Sequence, residues 1–179
     1  LKVLGARMLS GHLQGKVLSM LSKMIQPSTI LEIGTFTGYS AICLARGLKE
    51  NGKLITIEID DELEELANKY FEKSGCGSQI KLLTGSALQI IPTLNETFDL
   101  VFIDGNKREY LSYYQLVFDK VNPGGFILAD NTLWNGKVIE KLSPDDAQTL
   151  GILEFNAFVT NDKRVEKVIL QLRDGMTII

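Results

Sequence analysis

Residues 29–40 read Thr29-Ile30-Leu31-Glu32-Ile33-Gly34-Thr35-Phe36-Thr37-Gly38-Tyr39-Ser40. A compact β run, Thr29–Ile33, passes through a glycine turn into a helical stretch, Tyr39–Lys49. That order, strand then tight turn then helix, opens a βαβ unit. Glu32 interrupts an otherwise apolar strand, and a carboxylate in such a place needs a partner.

Working outward, the same alternation repeats. Lys53–Ile59 reads as a second strand, with Asp61 placed to cap the acidic helix that runs to about Ser74. Ile80–Thr84 is a third strand, and Ser86–Leu94 a short helix stopped near Pro92. Phe98–Ile103 is a fourth strand, followed by a helix from about Arg108 to Val121, and Gly125–Ala129 a fifth strand. Upstream, Gly11–Met24 reads as a helix leading into the first strand. Near-continuous apolar strands separated by helices indicate a parallel sheet covered on both faces. After a helix over Ala147–Val159 come Val165–Leu172 and Met176–Ile179, joined at Asp174-Gly175. Asp-Gly between two strand-like runs is a hairpin signal. The fold expected is an α/β, Rossmann-like, doubly wound and mostly parallel sheet that ends in an antiparallel pair.

At 179 residues the chain fits one domain over its whole length. It opens on Leu1 rather than Met, so the expectation is that residues precede it. The hydrophobic share is 45%, the charged share 23% and the net charge -3, an ordinary soluble composition without the basic balance of a generic nucleic-acid binder. Two cysteines, Cys43 and Cys76, make no disulfide framework and suit a reducing cytoplasm. No apolar run approaches the roughly 18 residues of a membrane span, and no signal segment opens the chain.

In a doubly wound sheet, ligands bind at the carboxyl ends of the strands. The five strand ends carry Gly34 to Ser40, then Glu58 and Asp60, then Gly85-Ser86-Ala87, then Asp104-Gly105-Asn106-Lys107, then Asp130-Asn131. The first turn is GxxxG, not the GxGxxG that seats a dinucleotide pyrophosphate, and there is no P-loop. An acid ending the second strand suits paired ribose hydroxyls. Together these point to an adenosine-type ligand without a pyrophosphate. The plainer alternatives are an ordinary βα turn for Gly34 and Gly38, and a solvated strand end for Glu58.

Asp104, Asp130 and Asn131 form a second cluster, because neighbouring strand ends lie about 4.8 Å apart. Two carboxylates and an amide oxygen make an all-oxygen set for Mg²⁺, Mn²⁺ or Ca²⁺. Taken singly, Asp104 and Asp130-Asn131 read as helix and turn caps. Lys107 sits at the mouth of the cluster. An amine beside a bound cation has its charged form disfavoured and can act as a general base. A surface lysine beside Arg108 is the alternative. His12, the one histidine, lies upstream in a polar segment, which makes a Ser-His-Asp triad improbable. Trp134 is either a substrate wall or a packed aromatic.

The sequence resembles the metal-dependent O-methyltransferases that include catechol O-methyltransferase, the plant caffeoyl-CoA O-methyltransferases and small bacterial relatives. The resemblance covers nearly the whole chain. It is carried by Leu31 to Ser40, by Phe102-Ile103-Asp104-Gly105-Asn106-Lys107 and by Asp130-Asn131-Thr132-Leu133-Trp134-Asn135-Gly136. It implies a class I methyltransferase fold that binds S-adenosylmethionine (SAM). Position by position, Glu32, Gly34 and Ser40, with Thr35 in the same turn, match the surroundings of the cofactor's methionine part and ribose. Glu58 matches the ribose-binding acid. Ser86 and Ala87, after Gly85, match the adenine-contacting turn. Ser10 matches a segment that closes over the cofactor, which Asp104 also borders. Asp104, Asp130 and Asn131 match the metal ligands, Mg²⁺ foremost, and Lys107 matches the proposed base. Asp174 matches a substrate-contacting position of the plant enzymes. Two departures stand out: the stretch before Met8 is short beside relatives that carry extra helices there, and Phe36 stands where catechol-methylating relatives have tyrosine.

The activity implied is methylation of a hydroxyl on a catechol-like small molecule, with a homodimer as the expected assembly. The second reading is a tRNA 5-hydroxyuridine O-methyltransferase, with Lys107, Arg108, Lys137 and Lys141 contacting phosphates. Two readings of another class are a nicotinamide-binding dehydrogenase, disfavoured by the missing GxGxxG, and a non-catalytic nucleotide-binding module, disfavoured by the metal cluster.

Overall fold

The computed structural model describes residues 11–143 and 145–179. A seven-stranded sheet forms its centre. The helix α1 (His12–Ile25) leads into β1 (Thr29–Ile33), followed by α2 (Tyr39–Ala45), β2 (Lys53–Glu58), α3 (Glu64–Ser74), β3 (Ile80–Thr84), α4 (Ala87–Ile90), β4 (Phe98–Ile103), α5 (Tyr110–Phe118), β5 (Val121–Asp130), α6 (Ala147–Asn161), β6 (Val168–Leu170) and β7 (Met176–Ile178). The strand order is β3-β2-β1-β4-β5-β7-β6. The first five strands pair in parallel, and β7 runs antiparallel between β5 and β6. This is the doubly wound sheet with a C-terminal antiparallel pair that the strand pattern predicts.

The two-residue period of each strand divides the core between the faces of the sheet. Leu31, Ile33, Val101, Ile103, Ile127 and Ala129 pack with Tyr110, Tyr114 and Val117 of α5 and Ile152 and Phe155 of α6. Ile30, Leu54, Leu100, Phe102 and Leu128 pack on the other face with Leu18 of α1, Leu44 of α2 and Phe71 of α3. Each fully buried side chain of this size contributes about 1.5–3 kcal/mol, so both faces need their helices.

The element ends differ from the sequence pattern for local reasons. The helix α2 stops at Ala45 rather than Lys49, because the next residues tighten into turns closed by Gly47 N–H to Leu44 and Leu48 N–H to Ala45. Asp60, not Asp61, caps the acidic segment. It accepts from Glu62 N–H at 3.0 Å ahead of a 3₁₀ turn over Asp61–Leu63. The short helix α4 gives way to a 3₁₀ turn, Ile91–Thr93, at Pro92. Before α5 stands another 3₁₀ turn, Lys107–Glu109, and α5 ends at Phe118 because Val121 already pairs with Phe98 in the sheet. The strand β5 therefore starts four residues before Gly125. Its Asn122–Gly125 segment is accommodated by a register break between Phe98 and Leu100. The C-terminal pair is joined by residues 171–175 rather than by Asp174-Gly175 alone. Cys43 is buried, and His12 lies on the surface with its ring edge-on to Tyr39.

Two features of β1 set up the strand ends. Gly34, at φ +100°, lies so close to the end of β4 that an added Cβ would sit 2.5 Å from the Asp104 carbonyl oxygen. Glu32 points to the α1–α2 side and is fully buried. Thr56 donates a hydrogen bond to its Oε2 at 2.5 Å, so Thr35, 2.5 Å from Thr56, must be the donor between the two hydroxyls. Its Oε1 is buried with no hydrogen-bond partner. Burial pushes the Glu32 carboxyl up to about 8. Hydrogen bonds from Ser40 and Thr56 oppose the rise, and the nearby Asp104 and Glu58 charges add to it.

Gly34→Ala should therefore destabilise the chain by about 2 kcal/mol or more, from strain at positive φ and the backbone clash. A urea midpoint equal to that of the parent would contradict this. The folded chain holds the Glu32 proton to about pH 8, whereas the unfolded chain releases it near 4.5. Stability from this group is thus full below pH 4.5 and lost as the pH rises to 8. Glu32→Gln should flatten the fall of the unfolding midpoint across that window. Parallel pH profiles for the two proteins would show that Glu32 is ionised in the folded chain.

Candidate active site

The carboxyl ends of the parallel strands finish nearly level. Ile33 pairs with both Ile57 and Ile103, and Ile103 with Ala129. The backbone ladder continues past them through Gly34 N–H to Ile57 at 2.9 Å, Gly85 N–H to Glu58 at 2.7 Å and Asp104 N–H to Ile33 at 2.8 Å. Above this edge opens a cleft of about 1260 Å³. Among the residues singled out in the sequence, Gly34, Thr35, Ser40, Glu58, Gly85, Ser86, Ala87, Asp104, Lys107, Asp130 and Asn131 all line it. Glu32 lies beneath its floor, and Ser10 lies outside the described residues.

Glu58 is not a solvated strand end. Its Oε2 accepts from the N–H groups of Thr35 at 3.1 Å and Phe36 at 2.7 Å, and its Oε1 from those of Ile59 at 2.9 Å and Asp60 at 3.1 Å. Four backbone donors fix the carboxylate and tie the first glycine turn to the end of β2. Ser86 stands at the start of α4, but its side chain makes no cap hydrogen bond there.

Asp104 and Asp130 meet on the other side of the cleft. Lys107 Nζ donates to Asp104 Oδ1 at 2.8 Å and to the Tyr110 hydroxyl at 2.5 Å, and lies 4.6 Å above the Tyr110 ring. Tyr110, fully buried, donates in turn to the Asp130 carbonyl at 2.9 Å, with the Ile103 carbonyl at 3.2 Å. Lys107 is only 8% exposed, so the surface-lysine alternative does not hold. Burial, then the charge of Asp104, pushes the Asp130 carboxyl up to about 6, against a hydrogen bond from Gln14 and the charge of Lys107. Asp130 Oδ1 is buried and has no hydrogen-bond partner. Asn131 follows at φ 58°.

Among the described residues no three His, Cys, Asp or Glu side chains converge as metal ligands. The available set is two carboxylates and the Asn131 amide. That set fits a hard cation: an orphaned carboxylate oxygen beside a second carboxylate is the arrangement a divalent ion would relieve. At the rim, the 131–136 loop is clamped to the loop before β7. Leu133 N–H donates to the Asp174 carbonyl at 2.9 Å, and Asn135 N–H to the Asp174 carboxylate. Trp134, Arg173 and Asp174 all face the cleft.

Three residues of this centre are not among those singled out in the sequence. Gln14 donates to Asp130 Oδ2 at 2.6 Å, Arg173 donates to Gln14 Oε1 at 2.8 Å, and Tyr110 carries Lys107. Tyr110 follows Lys107 by three residues, a spacing that brings side chains together along a helix. Gln14 precedes the buried Leu18 by one turn, so it had to face inward. The basic patch expected for tRNA is depleted: Lys107 is buried, and Lys137 pairs with Asp146 at 2.7 Å. No helix among the described residues is long and apolar enough to cross a membrane.

A family model described as O-methyltransferase matches residues 1–179. A catechol O-methyltransferase of Niastella koreensis is 39% identical over 174 residues, which cover 92% of this chain and 78% of that protein. Caffeoyl-CoA O-methyltransferase 2 of Petunia hybrida is 35% identical over 179 residues, 92% of this chain and 73% of that protein. The O-methyltransferase TomG of Streptomyces achromogenes, involved in tomaymycin synthesis and solved in complex with SAM, superposes with a TM-score of 0.91. It is 33% identical, over 97% of this chain and 81% of that one. An O-methyltransferase of Bacillus cereus, solved with SAH, gives 0.91 at 31% identity, over 96% and 81% of the two chains. The shared architecture is the class I methyltransferase fold. By the family match along its length and by these likenesses, the chain belongs to the O-methyltransferase family.

Proposed function

We propose that the chain methylates one hydroxyl of a catechol-like acceptor and that it does so with a divalent cation, Mg²⁺ foremost, held by Asp104, Asp130 and Asn131. The chain is a SAM-dependent O-methyltransferase. What carries the finer reading is the orphaned Asp130 oxygen beside Asp104, to which Lys107 donates a hydrogen bond, in the cleft that the Gly34 turn and Glu58 also line.

The cofactor roles follow the cleft. Glu58, held in place by four backbone N–H groups, fixes a negative charge at the end of β2 beside which the ribose hydroxyls would lie. Gly34 and Thr35 offer backbone at close range, with Ser40 at the start of α2, and Glu32 supports the turn from below. Gly85, Ser86 and Ala87 form the edge that takes the adenine, and Ser10 belongs to the segment assigned to cover the cofactor. Asp104 borders both halves, so the methyl donor and the acceptor meet at its carboxylate.

A cation held there would lower the pKa of a hydroxyl chelated to it. Lys107 Nζ, an ammonium in its contact with Asp104, would first release a proton to solvent beside that cation, and its neutral amine would then take the hydroxyl proton, with Tyr110 fixing where the amine stands. Trp134, Arg173 and Asp174 line the rim against which the acceptor packs. Holding both reactants in one cleft contributes several kcal/mol through proximity.

Methyl transfer from labelled SAM to caffeate, simple catechols and hypomodified tRNA, with Mg²⁺ and with chelator, tests the proposal. The expected outcome is transfer to a catechol that chelation abolishes. Full activity under chelator would exclude the metal role, and transfer to tRNA alone would replace the acceptor. Lys107→Ala should lower kcat about 100-fold or more and leave SAM affinity unchanged. A matching loss of SAM affinity would make Lys107 structural.

A further inference from the structure

Asp130 has one oxygen without a partner and one that is held. The holder is Gln14, fully buried on α1, 116 residues away in the chain. Its Nε2 donates to Asp130 Oδ2 at 2.6 Å while its Oε1 accepts from Arg173 Nη1 at 2.8 Å. The partners fix which way the amide points, since a carboxylate only accepts and a guanidinium only donates.

We propose that Gln14 is a positioning residue for the cation site: by holding Asp130 Oδ2 it stops the carboxylate turning and reserves the orphaned Oδ1 for the metal. The proposal rests on the reading of Asp104, Asp130 and Asn131 as cation ligands. The chemistry suits a neutral amide. A glutamate at this position would face Asp130 with like charge, and an apolar side chain would leave Oδ2 buried and unpaired. Gln14 satisfies that oxygen without adding charge that would alter the site's attraction for a cation. Its neighbour Gly15 faces α2, where an added Cβ would fall 2.6 Å from the Tyr39 ring.

The link continues outward. Arg173, at φ 51°, stands beside Asp174, whose carboxylate and carbonyl clamp the loop that starts at Asn131. The chain Arg173–Gln14–Asp130 therefore joins the acceptor rim to the cation site through α1. Arg173 acts here as the group that orients Gln14.

The test is titration of Mn²⁺ alone into the full chain, read by electron paramagnetic resonance of the free ion, with SAM affinity and the unfolding midpoint measured alongside. Gln14→Met should weaken Mn²⁺ binding about 10-fold or more, as loss of an outer-shell partner does, with SAM affinity unchanged in a folded protein. Arg173→Met should weaken it less, and adding that change to Gln14→Met should cost nothing further. Asp130→Asn is the control for the underlying reading. If Asp130→Asn loses Mn²⁺ while Gln14→Met keeps the parent affinity, the role given to Gln14 is wrong and the cation site stands. If Asp130→Asn binds Mn²⁺ as the parent does, the cation reading falls and this proposal with it. Equal losses of Mn²⁺ and SAM affinity in Gln14→Met would mean a general structural role and overturn the positioning one.

Discussion

The contact between the backbone of Gly34 and the carbonyl of Asp104 governs how this site is built. No side chain fits between them. The first glycine turn and the end of β4 can therefore lie side by side, with Asp104 N–H bonded to Ile33 and Gly34 N–H to Ile57. Because the strands end level, the turn, Glu58 and the Asp104–Lys107 pair face one cleft. Were the turn to stand away from β4, the ribose acid and the proposed cation ligands would open onto separate depressions, and a methyl donor could not reach an acceptor held by the second group.

Four buried or half-buried carboxylates crowd this edge, and the chain treats each differently. Glu58 receives four backbone N–H groups. Asp104 receives an ammonium. Asp130 receives one amide proton and keeps an oxygen uncommitted. Glu32 receives hydroxyls and, being wholly buried, keeps its own proton. Like charges so near one another would otherwise oppose folding. The arrangement confines the unrelieved negative charge to Asp130, where a cation would serve best.

The apolar runs made the strands legible: Thr29–Ile33, Ile80–Thr84 and Phe98–Ile103 have the bounds that the pattern predicts. Strand ends followed, and with them most of the polar cleft residues, because topology places all carboxyl ends on one edge. Helix ends were less legible. The stop at Ala45 depends on turns around Gly47 packed against α1, and the early start of β5 on a register break opposite Phe98. The pairing of Gln14 with Arg173 and Asp130 was illegible for a stronger reason. Gln14 and Arg173 lie 159 residues apart, and only the finished fold brings them to Asp130. Lys107 was visible as a residue but not as a buried one, since its burial is created by Tyr110 and by helix α6 packing across the Lys107–Glu109 turn.

The reversed strand β7 has a consequence in time. It is the last strand among the described residues, yet it sits between β5 and β6 and pairs with Leu128, Ala129 and Asp130. Until residues 176–178 are available, β5 has an open edge, and open edges invite pairing with other chains. During synthesis the half-sheet built on β1 to β4 can form early, but the edge of β5 that carries Asp130 gains its second neighbour only when β7 slots in. The strand ends proposed to hold the cofactor can thus be in place before the open edge of β5, beside Asp130, is covered by β7.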